Sequence, residues 1–276
     1  MKIGEINSLK VSRNTPHGIY LSDDAGVDVL LPGKYLNGDE KEGDEKQVFI
    51  YNDSEDRLVA TTETPKIRLN EFAGLKVVDI NKYGVFLDWG LDKDLLVPFK
   101  EQNKKMLLGH TYVVRLILDE DTDRLIGTGK IKKFLSNDQL TITEHERVEL
   151  LVYNQSELGY EVIINGKHAG LVYKNEVFSP VINGQRLTGY IKHIRQDGKI
   201  DVSLQPDKTT HIKNSNELIL NALKVNGGKL SLSDKSTPEE IYTALHISKK
   251  TFKKAIGTLY KQRRIIIGPD QISLVY

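Results

Sequence analysis

The chain contains no cysteine, which excludes several kinds of site at once. Without thiols it has no disulfide framework, no cysteine nucleophile and no zinc–thiolate site. Long apolar runs are also missing, since no segment approaches the ~18 apolar residues of a membrane-spanning helix. The mixed-charge start, MKIGEINSLKVSR, lacks the apolar stretch of a signal peptide. We therefore expect a cytoplasmic protein that makes no membrane contact.

Motifs for metal, cofactor and nucleotide chemistry are missing too. The histidines show no HxxxH or His-Asp spacing of the kind that forms a metal site or a catalytic triad. We expect each to lie at the surface or half-buried, at positions 17, 110, 145, 168, 193, 211 and 246. No phosphate-binding loop of the form GxxxxGKS or GxxxxGKT occurs, so NTP-driven chemistry is not expected. The sequence predicts neither a bound metal nor a cofactor.

The net charge of +1 conceals a difference between the two ends of the chain. Residues 1–64 carry seven Lys and Arg against thirteen Asp and Glu, whereas residues 212–276 carry eleven against five. Lys and Arg neutralise phosphates and supply most nonspecific nucleic-acid affinity, so any such contact should lie away from the acidic start. The alternative is that the acidic region only carries solvated loops.

Three blocks of sequence recur in the same order. HGIYL at 17–21 and DVLLP at 28–32 return 66 residues later as YGVFL and DLLVP, and DRLVATTETPK from Asp56 returns 67 residues later as DRLIGTGKIKK. A weaker third copy lies 74 to 75 residues further on, with LGYEV at 158–162, GLVY at 170–173 and DGKIDVSL at 197–204. Repetition at this period is typical of tandem small domains, each of which buries its own apolar face.

Each copy contains five short runs of β-branched and aromatic residues between glycines and charged turns. In the second copy they predict strands at Ala73–Asp79, Gly84–Trp89, Asp94–Pro98, His110–Leu118 and Arg124–Lys132. A closed barrel suits such small units because closure removes the exposed edges of an open sheet. The sequence thus predicts a mainly β fold of three tandem five-stranded OB-fold barrels, followed by a different C-terminal domain.

The segment YGVFLDWG, with the strand DLLVP and the hairpin LGHTYVVRLILDEDTDRL, resembles the RNA-binding OB-fold repeat of ribosomal protein S1. The matching residues of the second copy are Tyr83, Gly84, Phe86, Leu87 and Arg124. Those of the first copy are His17, Gly18, Tyr20 and Arg57, and those of the third are Gly159, Tyr173 and Lys199. Proline replaces the family's histidine at positions 32 and 98, and Glu161 stands where the third copy should have its second aromatic residue.

Exposed aromatic rings beside basic residues suit single-stranded nucleic acid. Bases stack on such rings for ~1 to 3 kcal/mol each, and neighbouring cations neutralise the backbone. Strict strand alternation places Tyr83 and Phe86 on opposite faces of the sheet unless Gly84 permits a bulge. Lys82 and Lys93 flank the rings and favour RNA binding. The alternative is that both rings pack in the interior.

After residue 211 the pattern changes from strands to helices. TPEE at 237–240 is a capping box with proline at the first helical position, and it starts a helix through about Leu245. A second helix begins at Ser248, and its apolar stripe consists of Phe252, Ala255, Ile256, Leu259 and Tyr260. A helix near Glu217–Lys224 precedes them and the hairpin RIIIGPDQISLV follows. This order predicts a winged helix-turn-helix.

The lysines of the second helix predict a contact with phosphates, through Lys250, Lys253 and Lys254. The alternative is a winged helix that docks onto protein while its lysines are solvated, because the helix lacks the Arg and Asn side chains usual in base readout. RNA, DNA and a protein therefore all stay open as partners of this domain.

Three S1-like repeats before one winged helix resemble, over nearly the whole chain, the bacterial family called conserved virulence factor B. The resemblance implies a non-enzymatic, cytoplasmic RNA-binding protein that regulates gene expression after transcription. The predicted domains are an acidic OB-fold repeat at 1–66, the best-matching repeat at 67–140, a divergent repeat at 141–211 and the basic winged helix at 212–276. The predicted RNA-binding residues are Lys82, Tyr83, Phe86, Lys93, Arg124, Tyr173, Lys199, Lys250, Lys253 and Lys254, with His17, Tyr20 and Arg57 as weaker candidates.

Two other functions compete with this interpretation. A scaffold for ribosomal or transcriptional proteins would use the acidic first barrel as its interface. A metal-dependent nuclease would need the acidic run Asp119–Asp123 to hold Mg²⁺. That run aligns with Asn52–Asp56 as a hairpin turn, and five consecutive turn residues cannot all direct carboxylates at one ion. We therefore expect single-stranded or unpaired RNA as the partner and no enzymatic activity.

Overall fold

Strands dominate the chain up to Ser203, and helices follow them. The computed structural model describes residues 1–177, 179–206 and 208–275. Met1–Thr143 and Arg147–Leu204 form one compact unit, and Glu144–Glu146 join the residues from Gln205 onward in a second. Within the described part of the chain no helix is long and apolar enough to cross a membrane. The predicted mainly β fold, three five-stranded repeats followed by a winged helix, is confirmed.

The first and third repeats each close into a barrel. The strands of the first are β1 (Ile6–Thr15), β2 (Gly18–Ser22), β3 (Asp28–Pro32), β4 (Glu45–Asn52) and β5 (Leu58–Thr61). Those of the third are β11 (Arg147–Gln155), β12 (Gly159–Ile164), β13 (His168–Tyr173), β14 (Arg186–Ile194) and β15 (Ile200–Ser203). Both barrels have one strand order, β1-β2-β3-β5-β4 and β11-β12-β13-β15-β14.

In the middle repeat each strand has the same neighbouring strands as in the two closed barrels, but the five strands form an open sheet. Its strands are β6 (Phe72–Ile80), β7 (Gly84–Asp88), β8 (Leu95–Pro98), β9 (Thr111–Asp119) and β10 (Arg124–Thr128), ordered β10-β9-β6-β7-β8. β10 ends at Thr128, not at Lys132 as predicted. The chain leaves the sheet where the Gly129 N–H donates to the Glu101 carbonyl at 2.8 Å, and Ile131–Phe134 then form a 3₁₀ turn. β8 and β10 lie next to each other without a hydrogen-bonded ladder between them, so the predicted closure of this repeat is only partial, because the edge strands meet without pairing. We call this repeat the middle barrel.

Each second strand of a barrel begins with a glycine for the same physical reason. A Cβ atom added at Gly18, Gly84 or Gly159 would lie 2.1, 2.3 or 2.1 Å from a carbonyl oxygen of the neighbouring third strand. No side chain fits at that separation, so only glycine permits the two backbones to approach. The glycine of the repeated motif is therefore a packing requirement in all three copies.

Each first strand carries a bulge at an equivalent residue. The strand register shifts across Ser12, Val78 and Tyr153 in the three repeats. These residues are 66 and 75 positions apart, which are the offsets of the sequence repeat. A bulge leaves one residue unpaired and redirects its side chain. The third barrel is thus the copy that places an aromatic residue at this bulge.

Apolar clusters connect the three barrels. Trp89, which follows β7, lies 5.8 Å from the ring of Phe49 and 6.1 Å from that of Tyr51, measured between ring centroids. All three rings are buried and belong to one core with the interior of the middle barrel. The cluster joining the middle and third barrels consists of Phe72, Val113, Ile131, Leu151 and Ile163. One apolar cluster therefore joins the first barrel to the middle barrel, and a separate one joins the middle barrel to the third.

The second unit contains three helices and a small sheet. The helices are α1 (Lys208–Val225), α2 (Pro238–Leu245) and α3 (Lys249–Lys261), and the strands are β16 (Lys229–Leu230), β17 (Ile265–Ile267) and β18 (Ile272–Leu274), ordered β16-β18-β17. The predicted capping box is confirmed, since Thr237 Oγ1 accepts from the Glu240 N–H at 3.2 Å and Glu240 accepts from the Thr237 N–H at 2.7 Å. α1 begins before the predicted start at Glu217, in a polar segment without helical periodicity.

The apolar stripe of α3 is confirmed except at one residue. Phe252, Ala255, Ile256 and Leu259 are buried, but Tyr260 is 57% exposed. At about 100° per residue, Tyr260 lies roughly a quarter turn from the centre of that stripe. The prediction that Tyr260 belongs to the core is therefore wrong.

His168 departs from the expectation for histidines, because it is 2% exposed. Its Nδ1 donates to the Ser136 carbonyl at 2.7 Å, and its Nε2 lies 3.0 Å from Thr141 Oγ1. A carbonyl only accepts, so the proton resides on Nδ1. Through these contacts His168, the first residue of β13, is connected to the segment that precedes β11. Its role is structural.

Candidate nucleic-acid interface

An OB-fold barrel binds ligands on the face of strands 2 and 3, between the loop that joins strands 1 and 2 and the loop that joins strands 4 and 5. In the middle barrel this face is formed by β7 and β8, with loops at 81–83 and 120–123. In the third barrel it is formed by β12 and β13, with loops at 156–158 and 195–199. Most of the predicted site residues lie on or beside these two faces.

Tyr83 occupies the first loop of the middle face. It precedes β7, and its N–H donates to Asn81 Oδ1 at 2.8 Å. The side chain is 63% exposed, and Lys82 Nζ lies 5.0 Å from the ring centroid. Because Tyr83 lies in a turn, the strict alternation of a strand does not govern its direction. The ring is therefore available to a planar ligand, with a cation beside it.

Phe86 lies within β7 on the outer side of the sheet. It is half-buried, whereas its neighbours Val85 and Leu87 are buried in the core. Across the sheet it pairs with Leu96. The bulge that sequence reasoning considered at Gly84 instead lies on the adjacent strand, at Val78. Neither Tyr83 nor Phe86 is a core residue.

Lys93 and Arg124 lie at the opposite end of the middle face, where the first barrel supplies their partner. Asp56, in the hairpin turn between β4 and β5, lies 2.6 Å from Arg124 and 3.5 Å from Lys93. Lys93 also donates to the carbonyl of Asp53 at 2.6 Å. Lys82 and Tyr83 therefore lie at one end of β7, and Lys93 and Arg124 lie at the other end. The structure also gives the latter two a carboxylate in the position a phosphate would need.

Tyr173 ends β13 on the face of the third barrel. Its hydroxyl accepts from Arg195 at 2.5 Å, and Arg195 is also paired with Asp201 at 3.0 Å. Lys199 is 73% exposed and pairs with Asp197 of its own loop at 2.8 Å. The cations of this face are thus held by carboxylates of the same barrel.

A cavity of about 730 Å³ opens on this face, and we call it the third-barrel cleft. Its lining includes the first loop (Ser156, Glu157, Leu158), the strands (Glu161, Leu171, Tyr173, Asp201) and the second loop (Arg195, Lys199), together with Lys132, Leu135, Asn137, Tyr153, Ala169, Gly170 and Ile200. The cleft spans the whole OB ligand face from one loop to the other. Tyr173 and Lys199 are the predicted site residues that it contains.

A second cavity, of about 380 Å³, adjoins the cleft where the middle and third barrels meet. We call it the lysine pocket, and its lining is Asn103, Lys104, Met106, Tyr112, Val113, Gly129, Lys130, Ile131, Lys132, Lys133, Tyr153, Asn154 and Glu161. Sequence reasoning missed its four lysines and two tyrosines. The available signal is the basic run KIKK at 130–133, of which the first three residues fall within the strand predicted at Arg124–Lys132.

Glu161, Lys132 and Tyr153 line both cavities. Lys132 pairs with Glu161 at 2.7 Å, and Asn154 donates to the same carboxylate at 2.9 Å. Burial acts to raise the pKa of Glu161, but these two partners outweigh it and hold that pKa below its usual range. Burial, followed by the adjacent Glu161, raises the pKa of Tyr153, so this hydroxyl stays protonated. The boundary between the cavities is an ordered polar cluster.

The weaker candidates of the first barrel have mixed surroundings. His17 is exposed. Tyr20 is half-buried under Arg13, whose Cζ lies 4.0 Å from the ring centroid. Arg57 pairs with Asp53 at 2.7 Å and Glu55 at 3.1 Å. The basic side chains near these residues of the first barrel are therefore already paired with carboxylates.

The predicted lysines of the winged helix lie on the solvent side of α3. Lys250, Lys253 and Lys254 are all exposed. Across the residues that the structure describes, no carboxylate lies within ion-pair distance of any of them. These three ammonium groups can therefore take phosphate oxygens without first losing a protein partner.

The acidic run at 119–123 is the hairpin turn between β9 and β10, as predicted. Asp123 has φ +53° and its N–H donates to the Asp119 carbonyl at 2.8 Å, while Asp56 has the matching φ of +62° in the first repeat. Throughout the described ranges no group of three or more His, Asp or Glu side chains is arranged to hold a metal ion. A positive φ favours Asp or Asn, so the turn geometry explains the aspartate at position 123.

Comparisons with known proteins agree with this architecture. Residues 3–63 match the family model described as S1 domain, and residues 217–274 match the one described as CvfB-like winged helix domain. The uncharacterised protein YitL of Bacillus subtilis (strain 168) is 29% identical, over 96% of this chain and 91% of its own length. Conserved virulence factor B of Staphylococcus aureus (strain USA300) is 26% identical, over 99% of this chain and 94% of its own length.

Among solved structures, a multidomain protein with nucleic acid binding domains from Streptococcus pneumoniae TIGR4 is 24% identical, with a TM-score of 0.43, and the match covers 99% of this chain and 98% of that one. The two family models and the two full-length relatives confirm the resemblance predicted from the sequence. The chain is similar to conserved virulence factor B and YitL over nearly its whole length, and it matches the S1 domain model near its start and the CvfB-like winged helix model near its end.

Proposed function

We propose that this protein is a non-catalytic RNA-binding protein that acts in the cytoplasm as a post-transcriptional regulator. Its ligand is single-stranded or locally unpaired RNA. The observation that carries the proposal is the third-barrel cleft, whose 730 Å³ extend over the face that OB-folds use for oligonucleotides. The two matched domain classes support nucleic acid as the ligand, and the regulatory role rests on the resemblance to conserved virulence factor B.

The chemistry of the cleft suits a flexible strand more than a specific base sequence. Tyr173 offers a ring and Leu158, which is 67% exposed, offers an apolar surface at the rim. Arg195 and Lys199 lie at the other end, where phosphate takes the place of their present partners Asp201 and Asp197. Stacking on rings with phosphate neutralisation binds any base, since every base has a π-face. We therefore propose nonspecific binding or a mild base preference.

The middle face has a secondary role in this proposal. Tyr83, Phe86 and Lys82 offer one further stacking position outside the core. Lys93 and Arg124 bind phosphate only after exchanging Asp56 for it. The middle barrel therefore contributes less affinity than its close sequence match indicates.

A fluorescence anisotropy titration of the full chain with a labelled single-stranded oligoribonucleotide, at low and at physiological salt, tests the function. We expect binding that weakens with salt, with log affinity falling by about 0.7 per phosphate contact for each decade of salt. Absence of binding even at low salt would contradict the proposal. It would favour the protein-docking scaffold with the acidic first barrel as its interface.

The winged helix is tested by changing Lys250, Lys253 and Lys254 together to Gln. Glutamine keeps a long helix-forming side chain and leaves the buried stripe of α3 intact. If all three bind phosphates of RNA, the salt slope should fall by roughly 2 units, and by nearly 3 units for a duplex. An unchanged slope would assign this domain to a protein partner, while RNA binding by the barrels would stand.

A further inference from the structure

The lysine pocket between the middle and third barrels lies mostly beyond the OB ligand face, with which it shares Lys132, Tyr153 and Glu161. It is formed by the segment that links the two barrels, Gly129–Lys133, and by residues of the β8–β9 connection, β9, β11 and β12. Its volume of about 380 Å³ lies within the range of ligand-binding pockets. The pocket therefore needs an explanation of its own.

Charge indicates what the pocket can bind. Lys104, Lys130, Lys132 and Lys133 line it, against the single carboxylate of Glu161. Lys132 is paired with Glu161 at 2.7 Å and Lys130 with Glu101 at 3.1 Å. Lys104 lies 3.4 Å from the neutral amide oxygen of Asn154. Within the part of the chain that the structure describes, neither Lys104 nor Lys133 has a carboxylate at ion-pair distance. Burial acts to raise the pKa of Glu101, but Thr128, Lys130 and the nearby charge of Lys133 hold that pKa below its usual range. Lys133 is therefore near a carboxylate without being paired with it.

Aromatic rings complete the pocket. Tyr112 is held in place, since its hydroxyl accepts from the Leu107 N–H at 3.1 Å, and Lys104 Nζ lies 5.9 Å from its ring centroid. Tyr153 is the bulge residue of β11, and the equivalent bulge residues of the other barrels are Ser12 and Val78. Bulges redirect side chains toward functional surfaces. The third copy therefore places a ring where the other two repeats have none.

The lysine pocket adjoins the third-barrel cleft, and this position indicates which ligand the pocket binds. Lys132, Tyr153 and Glu161 line both cavities, so the two cavities adjoin at the polar cluster that these residues form, and a strand that fills the cleft reaches the lysine pocket at that cluster. We propose that the lysine pocket is a second RNA subsite, which binds backbone phosphates of the strand leaving the third-barrel cleft and stacks one base at Tyr153. This inference rests on the proposed function and adds the direction in which the RNA extends.

The test uses the full chain and a Lys104→Gln/Lys133→Gln variant. These two lysines are chosen because replacing Lys130 or Lys132 would leave Glu101 or Glu161 unpaired. The matched control is Lys10→Gln/Lys41→Gln, which removes the same charge from exposed positions of the first barrel. The probes are labelled single-stranded oligouridylates of about 4 and about 12 nucleotides, a short and a long length within the range of about 4 to 16 nucleotides that OB-folds cover.

For the longer probe we expect the variant to lower the salt slope by about 1.4, the amount for two phosphate contacts on a single strand. The shorter probe, which fills the cleft alone, should bind the variant and the wild type equally, and the control should match the wild type with both probes. An unchanged slope with the longer probe would overturn the subsite while RNA binding stands. Failure of the wild type to bind either probe would overturn both the proposed function and the subsite.

Free nucleotide is the other source of the same phosphate chemistry. A titration with unlabelled 5′-UMP, followed by isothermal calorimetry, separates the two sources. We expect no saturable binding of UMP to the wild type, because a single phosphate cannot span the pocket and the cleft. Saturable UMP binding that the Lys104→Gln/Lys133→Gln variant loses, with its RNA binding unchanged, would identify a mononucleotide site and overturn the RNA subsite.

Discussion

The middle and third barrels share one architecture but differ in the state of their ligand faces. The middle barrel carries the fuller sequence motif, with Tyr83, Phe86 and Arg124 in the expected places. Yet Arg124 is paired across the barrel boundary with Asp56. The third barrel has Glu161 in place of an aromatic residue, and it nevertheless has an open cleft of about 730 Å³ on its ligand face.

A sequence motif can indicate either a requirement of the fold or an accessible ligand site, and the difference between the two barrels shows that these need not coincide. The motif glycine is needed for strand approach in every copy, so its presence reports a fold requirement. Whether a face is free depends on what the neighbouring barrel places against it. The closer match therefore identifies the better-preserved repeat and does not by itself identify the more accessible ligand site.

The largest effect is expected at the third barrel. Replacing Tyr173 by Ala and Lys199 by Gln removes the ring and one exposed cation of the cleft. We expect RNA affinity to fall by about 5- to 150-fold, the range for one lost stack. Anisotropy measures the loss, and thermal unfolding checks the fold. Tyr173→Phe is the matched control, since it keeps the ring and removes only the hydroxyl bonded to Arg195. Wild-type affinity in the Ala/Gln variant would remove the third barrel from the interface.

A smaller effect is expected at the middle barrel. Tyr83→Ala with Phe86→Ala should weaken binding by about fivefold, the lower end of the range for one stacked base. The salt slope should change little because no cation is lost. A loss greater than that at the third barrel would reverse the comparison between the two faces. A folded variant that binds like the wild type would show that the two rings do not contact RNA.

Asp56→Asn tests whether the first barrel occupies the middle face. The substitution removes the negative charge between Lys93 and Arg124 while keeping a side chain that tolerates a positive φ. We expect tighter RNA binding at low salt and a slope steeper by about 0.7 for each cation that gains a phosphate. Stability should fall by no more than ~1 kcal/mol, since exposed ion pairs contribute little. Unchanged affinity together with a lower unfolding temperature would mean that this contact serves only to join the barrels.

The smallest effect is expected at the equivalent hairpin of the middle barrel. Asp121→Asn with Asp123→Asn should alter stability and RNA affinity by less than ~0.5 kcal/mol, as is usual for surface turns. The variant is thus the matched control for Asp56→Asn. Incubation of the wild type with RNA and Mg²⁺ or Mn²⁺ should yield no cleavage products on a gel. Cleavage that this variant abolishes would revive the nuclease hypothesis.

Much of the fold could be predicted from residue patterns, because the determining interactions are local or repeated. Four of the five strands predicted for the middle repeat are correct to within a residue or two, since alternation and glycine placement act within a few positions. α2 begins at Pro238, as predicted, because a capping box satisfies the first backbone N–H groups. The predicted strand Arg124–Lys132 is too long, because the chain leaves the sheet at Gly129 and forms a 3₁₀ turn at Ile131–Phe134.

The site was harder to predict, because it depends on residues far apart in the chain. Lys104 and Lys132 line the same pocket although they belong to different segments, and Tyr153 joins them from the next barrel. The partner of Arg124 is Asp56, a residue of the preceding repeat. Repeat alignment compares equivalent positions within copies, so it does not register contacts between copies.

By itself, the sequence determined the three β repeats, their glycines and hairpins, the capped helices of the last domain and the basic face of α3. These follow from strand alternation, helical periodicity and the conformational needs of single residues, all of which are encoded locally. Only the tertiary structure decided which ligand face stays open, which cations already have a carboxylate, and where two barrels enclose a pocket. Those outcomes depend on how the barrels of the first unit pack, and packing brings together side chains that no spacing in the sequence connects.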